Sequence, residues 1–122
     1  MYGFLLVMGG GGLGAAMRYA TGLWVGDGAA ATLLVNLLGS FLLGLLAAYG
    51  LLRSAPTEQA LWLFFGVGFL GAFTTYSAFS RETVMMLLDD KIWAGLSFMA
   101  LNTFGAVFAF GAGFLGLRAL IS

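Results

Sequence analysis

The side chains of this chain that could do chemistry are the few polar ones inside long apolar runs. Asn36 lies between Val35 and Leu37, in the middle of a charge-free run over 28–52. An unpaired amide is costly in such surroundings, so its partner is either another helix or a polar species in transit. The first interpretation makes Asn36 an interhelical hydrogen-bonding residue. The second directs its N–H at an anion that crosses the membrane.

A second informative region lies within the thirty residues of 59–88, where glycine, hydroxyl and aromatic residues crowd together. This length is too great for one straight membrane span and too small for two spans and a turn. We therefore predict one helix that is broken around 71–77. A broken helix at membrane depth is typical of an ion or substrate site. The residues in the predicted break include Gly71, Thr74, Thr75, Tyr76 and Ser77.

Two aromatic residues follow the predicted break at helical spacing. Tyr76 and Phe79 are three residues apart, so they share one helix face. The edges of aromatic rings carry partial positive charge, and an edge can therefore face an anion without binding it as tightly as a full charge does. Ordinary aromatic packing is the alternative interpretation.

Three more polar residues interrupt apolar sequence. Arg18 lies near the end of the first apolar run, where it acts either as an anchor at the headgroup level or as a fixed charge that attracts anions. Asn102 and Thr103 are the polar pair of the last run. Pore lining and interhelical bonding fit this pair equally well.

Composition argues against several other kinds of site. The chain has no histidine and no cysteine, which removes the commonest general base and the usual transition-metal ligands. Its five basic and five acidic residues cancel, so no cationic field is available to bind nucleic acid. Gly9, Gly11 and Gly14 match the spacing of a dinucleotide-binding loop, but no strand precedes them, and we attribute them to helix packing. We expect no enzyme and no catalytic residues.

Apolar helices must position these residues. Of the 122 residues, 61% are hydrophobic and 8% are charged, and the mean hydropathy is +1.03. A chain of this length cannot bury so much apolar surface in water, so lipid must surround most of it. Charge-free runs divide the chain into four membrane-spanning helices, of which the third is broken. The expected fold is an all-α membrane protein, organised as one four-helix transmembrane domain over residues 1–122.

The positive charges outside the apolar runs are almost balanced across the membrane. Arg53 and Arg118 are expected on the side of the termini, and Arg18, Lys91 and Arg81 on the opposite side. Because a bias in such charges sets the orientation of a membrane protein, this chain could insert either way. Two-fold symmetry is the commonest form of oligomer, so we expect an antiparallel homodimer.

Three motifs make the chain resemble the small fluoride channels of the Fluc/CrcB family. Residues 14–19, GAAMRY, are similar to the family's G-A-x-x-R-Y, and residues 32–41, TLLVNLLGSF, to its T-L-x-V-N-x-x-G-x-F. Residues 71–80, GAFTTYSAFS, are close to the family's G-G-x-T-T-F-S-T-F-S. The third motif is the specific one. With the length and the helix count, the resemblance covers essentially the whole chain.

The resemblance implies a channel of the cell membrane that passes fluoride out of the cytoplasm down its electrochemical gradient. It implies a dual-topology antiparallel homodimer with two pores, in contact with the lipid bilayer and not with nucleic acid. It also implies a central structural sodium ion, held by the backbone carbonyls of Gly71 and Thr74 of both copies. The pore residues that the resemblance implies are Asn36, Tyr76, Phe79, Ser77 and Arg18.

The sequence departs from the family's pattern at a few positions. Tyr76 stands where the family has a phenylalanine, which adds a hydroxyl group. Ala78 replaces a threonine, which removes one. Ala106 and Phe110 occupy the expected positions of a polar track in the fourth helix. These changes bear on the rate of transport and on the number of working pores.

Two other functions fit a small apolar chain of this kind. A small dual-topology multidrug exporter needs an acidic residue deep in its first helix to carry the proton, and residues 1–17 contain none. A non-transporting membrane subunit is the second alternative. It predicts that the purified protein moves no ion.

Overall fold

The computed structural model describes residues 1–51 and 56–122, and the regular structure in these ranges is helical throughout. This confirms the predicted all-α class. Arg53, which is predicted to lie on the same side of the membrane as the termini, falls outside the described residues. The helices are α1 (Tyr2–Val25), α2 (Gly28–Leu51), α3 (56–73), α4 (Tyr76–Leu88) and α5 (Ile92–Ile121).

Local sequence explains where the first helices begin and end. Gly26 adopts a left-handed φ of 76°, and its N–H donates to the Gly22 carbonyl at 3.0 Å, which closes α1. The Asp27 carboxylate accepts a hydrogen bond of 3.0 Å from the Ala30 N–H and so caps α2. α3 begins at Pro56, a residue favoured there because the first turn of a helix leaves its N–H groups unpaired.

Both α3 and α5 contain a π-helical segment. In α3 the segment is Trp62–Leu70, which leads into the last turn before the chain leaves the helix. In α5 it is Leu101–Gly105, which contains Asn102 and Thr103. Wider turns of this kind are uncommon within α-helices and occur frequently at functional sites. The first segment ends just before the predicted break, and the second contains the polar pair of the last apolar run.

The helices approach one another through glycines. A Cβ atom at Gly14 of α1 would overlap the carbonyl oxygen of Phe69 in α3, and one at Gly44 of α2 would overlap that of Phe110 in α5. The backbones of these helix pairs are therefore in direct contact, as small residues permit in membrane proteins. The assignment of Gly14 to helix packing is confirmed.

Among the described residues, three helical segments are long and apolar enough to cross a membrane: Gly28–Leu51, Glu58–Leu88 and Ile92–Ile121. α1 has 24 residues and a length of about 36 Å, which matches α2, but its many glycines make it less apolar. Few apolar side chains are buried, and Val35, Leu70 and Phe73 form a packed cluster among them, whereas most large apolar side chains are exposed. The chain is thus a membrane protein whose apolar surface faces outward.

Candidate functional site

The helix break lies between α3 and α4 and consists of Thr74 and Thr75. Both residues are extended, with φ −77° and ψ 159° at Thr74 and φ −150° and ψ 120° at Thr75. The break falls inside 71–77, so this prediction is confirmed. Gly71 is still helical, with φ −61° and ψ −35°. The Thr75 Oγ1 accepts a 3.1 Å hydrogen bond from the Ala78 N–H, which caps α4 and restarts the helix at once.

Asn36 of α2 is fastened to the backbone of the break. Its Oδ1 accepts a 2.8 Å hydrogen bond from the Thr75 N–H, and its Nδ2 donates to the Thr75 carbonyl at 3.1 Å. The side-chain amide therefore pairs with Thr75 much as a neighbouring strand would. Because the backbone N–H can only donate and the carbonyl can only accept, the orientation of the amide follows from chemistry alone.

Asn102 of α5 holds the same amide from the other side. The Asn36 Nδ2 donates to Asn102 Oδ1 at 2.8 Å, and the Asn102 Nδ2 donates to the Phe98 carbonyl at 3.0 Å. Both hydrogens of the Asn36 Nδ2 are thus shared with protein acceptors. The interhelical bonding expected of Asn36 and Asn102 is present, and a contact between Asn36 and an ion stays a prediction.

Arg18 of α1 is bonded to the last turn of α3, beside the break. Its Nε donates to the Ala72 carbonyl at 3.0 Å, across 54 residues of sequence. Within the ranges that the structure describes, no carboxylate lies within 4 Å of the Arg18 guanidinium, and the one ion pair there joins Arg81 to Glu82 at 3.6 Å. Arg18 therefore brings a positive charge with no paired carboxylate to the last turn of α3.

The break releases several backbone carbonyls from helical hydrogen bonds, among them those of Gly71 and Thr74. In a continuous α-helix each N–H donates to the carbonyl four residues earlier. Here the Thr75 N–H donates to Asn36 instead of the Gly71 carbonyl, and the Ala78 N–H donates to Thr75 Oγ1 instead of the Thr74 carbonyl. Carbonyls freed in this way are ligands for small cations in membrane proteins. The donor set at Gly71 and Thr74 is compatible with the predicted sodium ion.

A cleft of about 350 Å³ adjoins the break. Its walls come from α2, from the break with the start of α4, and from the π-helical part of α5. The cleft is open on one side. The lining residues are Asn36, Ser40, Thr74, Thr75, Tyr76, Phe79, Asn102, Thr103 and Ala106.

The two aromatic residues of the cleft differ in burial. Phe79 is 9% exposed and packs near Phe98, with ring centroids 5.9 Å apart. Tyr76 is 80% exposed, and its ring meets that of Phe79 edge to face at 5.3 Å and 63°. Tyr76 therefore projects from the open side of the cleft, while Phe79 forms part of its fixed wall.

Four of the seven residues predicted to contact fluoride or sodium lie together in the structure. Asn36, Thr74, Tyr76 and Phe79 line the cleft, whereas Gly71, Arg18 and Ser77 do not. The exposed Ser77 hydroxyl lies 3.3 Å from Thr75 Oγ1, beside the cap of α4. Sequence reasoning missed Ser40, although it follows Asn36 by four residues and so lies on the same face of α2.

Comparison with known proteins assigns this arrangement to a family. The sequence profile described as CrcB-like protein, Camphor Resistance (CrcB), matches residues 5–114. A protein of Halalkalibacterium halodurans named fluoride-specific ion channel FluC 1 is 44% identical, over 92% of this chain and 94% of its own length. A protein of Gloeobacter violaceus, named fluoride-specific ion channel FluC, is 42% identical over 95% of this chain and 96% of its own length. A protein of Bacillus subtilis, named fluoride-specific ion channel FluC 2, is 42% identical over 89% of this chain and 83% of its own length. With a match over most of its length and a cleft built on the motif at residues 71–80, this chain belongs to the CrcB family.

Proposed function

We propose that this protein is a fluoride-selective ion channel of the cell membrane, through which fluoride leaves the cytoplasm down its electrochemical gradient. The observation that carries the proposal is the cleft at the helix break, which is lined by amides, hydroxyls and ring edges and by no acidic side chain of the described residues. Groups of this kind present partial positive charge to an anion. The relatives named fluoride-specific ion channels support the identity of the ion.

The path binds fluoride weakly at each point, because a bound ion must also leave. Arg18, whose charge no described carboxylate pairs, raises the local concentration of anions near the break. Asn36 and the ring edges of Tyr76 and Phe79 then take the place of water around the ion in the cleft, and the exposed Ser77 hydroxyl does so beside the cap of α4, outside the cleft. The N–H groups of Asn36 are already shared with protein acceptors, so they contribute through three-centre hydrogen bonds.

The complete channel is an antiparallel homodimer in which each copy crosses the membrane four times, with α1 as the span of lower hydropathy. A second copy covers the open side of each cleft, where Tyr76 is 80% exposed, and so closes two separate pores.

Because the chain contains no cysteine, one cysteine introduced in place of Gly28 reports orientation unambiguously. We expect impermeant thiol reagents to label about half of the molecules from each side of the membrane.

A structural sodium ion at the dimer axis fits the carbonyls of Gly71 and Thr74. Two copies supply four such oxygens, which are hard ligands suited to a small cation. When bound, the ion offsets the partial negative charge of carbonyls that no longer accept helical hydrogen bonds. In this chain Asn36 and Thr75 Oγ1 keep those carbonyls free, since they take up the two N–H groups that would otherwise bond them.

Ion efflux from liposomes that contain the purified protein tests the function directly. Release of fluoride is measured with an ion-selective electrode, and release of chloride is measured in parallel; liposomes without protein are the control. We expect rapid fluoride release and no chloride release. Equal release of both ions would contradict selectivity, and release of neither would support a non-transporting subunit.

A further inference from the structure

Asn36, Asn102 and backbone groups of Thr75 and Phe98 form one continuous row of hydrogen bonds that joins α2, α5 and the break. The Thr75 backbone pairs with the Asn36 amide, Asn36 Nδ2 donates to Asn102 Oδ1 at 2.8 Å, and Asn102 Nδ2 donates to the Phe98 carbonyl at 3.0 Å. Backbone groups stand at both ends of the row, and they cannot exchange donor for acceptor. The direction of every bond in the row is therefore fixed.

We propose that Asn102 is a positioning residue of the ion path. Its carboxamide oxygen is the third anchor of the Asn36 amide, and it keeps α2 fastened to the extended backbone at Thr75. A change in α5 at Asn102 is thereby passed to the break, although Asn102 does not touch it. The consequence for fluoride passage rests on the proposed function, whereas the effect on Thr75 does not.

Burial makes this third anchor important. Asn36 is 8% exposed and Asn102 is 5% exposed, so water does not readily replace a lost partner. The two bonds to Thr75 hold one edge of the Asn36 amide. The bond to Asn102 uses the remaining hydrogen and opposes rotation of the side chain away from the break. Asn102 lies in the π-helical segment Leu101–Gly105, and the wider turn holds its side chain against Asn36.

Hydrogen exchange at the Thr75 amide tests the proposal. This hydrogen is bonded to Asn36 Oδ1, so its exchange rate measures how firmly Asn36 is held. Asn102→Leu removes the acceptor with little change of volume. In NMR spectra of ¹⁵N-threonine-labelled protein, we expect exchange at Thr75 to accelerate about five- to tenfold, as befits one lost hydrogen bond. Exchange at Thr83, in the middle of α4, should not change.

Two further variants separate positioning from general damage. In Asn102→Ser the hydroxyl can donate to the carbonyl four residues earlier and accept from Asn36, which preserves the direction of the row. We expect the exchange rate at Thr75 and the fluoride efflux rate of Asn102→Ser to lie near those of the unaltered protein. Both rates should differ more from the unaltered protein in Asn102→Leu. Ser97→Ala, at an exposed position of the same helix, is the matched control and leaves both measurements unchanged.

Two results would overturn the proposal. The first is a loss of fluoride efflux in Asn102→Leu with normal Thr75 exchange, since Asn102 would then act on the ion directly. The second is an equal rise of exchange at Thr75 and Thr83, which reports general loosening. If the unaltered protein moves no fluoride, the proposed function fails, yet exchange at Thr75 still decides for or against the role of Asn102.

Discussion

Replacement of Gly39 by alanine should disturb the break, because Gly39 of α2 faces Thr74 without any intervening atoms. A Cβ atom at this position would overlap Thr74 Cγ2 and would lie 3.3 Å from Phe73 Cδ1. Thr74 cannot simply turn its methyl group aside, since its Oγ1 is bonded to the Leu70 carbonyl at 3.0 Å. The overlap must therefore be relieved by movement of the extended backbone or by loss of that hydrogen bond.

The size of the effect follows from the cost of overpacking. An extra methyl group in a closely packed site costs about 1–3 kcal/mol. If the intact break is the conducting state, that energy lowers its population, and with it the initial rate of fluoride efflux, by up to about 150-fold. Gly111→Ala is the matched control, because a Cβ atom at Gly111 meets nothing within 4 Å.

A second substitution should reverse the defect of Gly39→Ala. Thr74→Ser removes Cγ2 and keeps the hydroxyl that bonds Leu70. The remaining contact with Phe73 needs a shift of only a few tenths of an ångström. We expect the double variant Gly39→Ala/Thr74→Ser to recover most of the fluoride efflux lost in Gly39→Ala.

The assay is fluoride efflux from liposomes at equal protein content, after size-exclusion chromatography has shown that each variant is monodisperse. Two results would refute the reasoning. One is a Gly39→Ala protein that conducts like the unaltered one. The other is a double variant as impaired as Gly39→Ala alone, because the defect would then not arise from contact with Thr74.

Three further substitutions test other parts of the structure. Asn36→Leu removes three hydrogen bonds of about 1 kcal/mol each, so fluoride efflux should fall about 100-fold. A loss below tenfold, or an equal loss in Leu38→Ala at an exposed position of the same helix, contradicts this role. Gly44→Ala forces two backbones apart and should lower the unfolding temperature, whereas Gly50→Ala, with open space around its Cβ, should not. Tyr76→Phe should leave the oligomeric state and the unfolding temperature unchanged, because the side chain is 80% exposed. A changed fluoride rate then shows that the hydroxyl meets the ion, and an unchanged rate shows that the ring alone matters.

The position of the break was predictable from the sequence because it depends on length. The thirty residues of 59–88 are too many for one straight span, and the hydroxyl residues mark where the helix is interrupted. The structure narrows 71–77 to Thr74 and Thr75. The isolated amide of Asn36 was likewise conspicuous, because few polar residues occur in the middle of an apolar run.

The partners of these residues could not be predicted, because they lie far apart in sequence. Asn36 meets Thr75 across 39 residues and Asn102 across 66, and Arg18 reaches Ala72 across 54. No local periodicity records such pairings. The π-helical segments were also missed, since apolar residues at helical spacing predict a helix and not the width of its turns.

The glycines of α1 have a consequence for how the chain enters the bilayer during its synthesis. Glycine adds little to the transfer of a helix into lipid, so α1 is held there less strongly by its own composition than α2 is. What retains α1 is its backbone contact with α3, for example at Gly14 and Phe69, and α3 emerges from the ribosome later. α1 therefore settles only after α3 has been made, and a nascent chain that stops before α3 holds α1 only loosely.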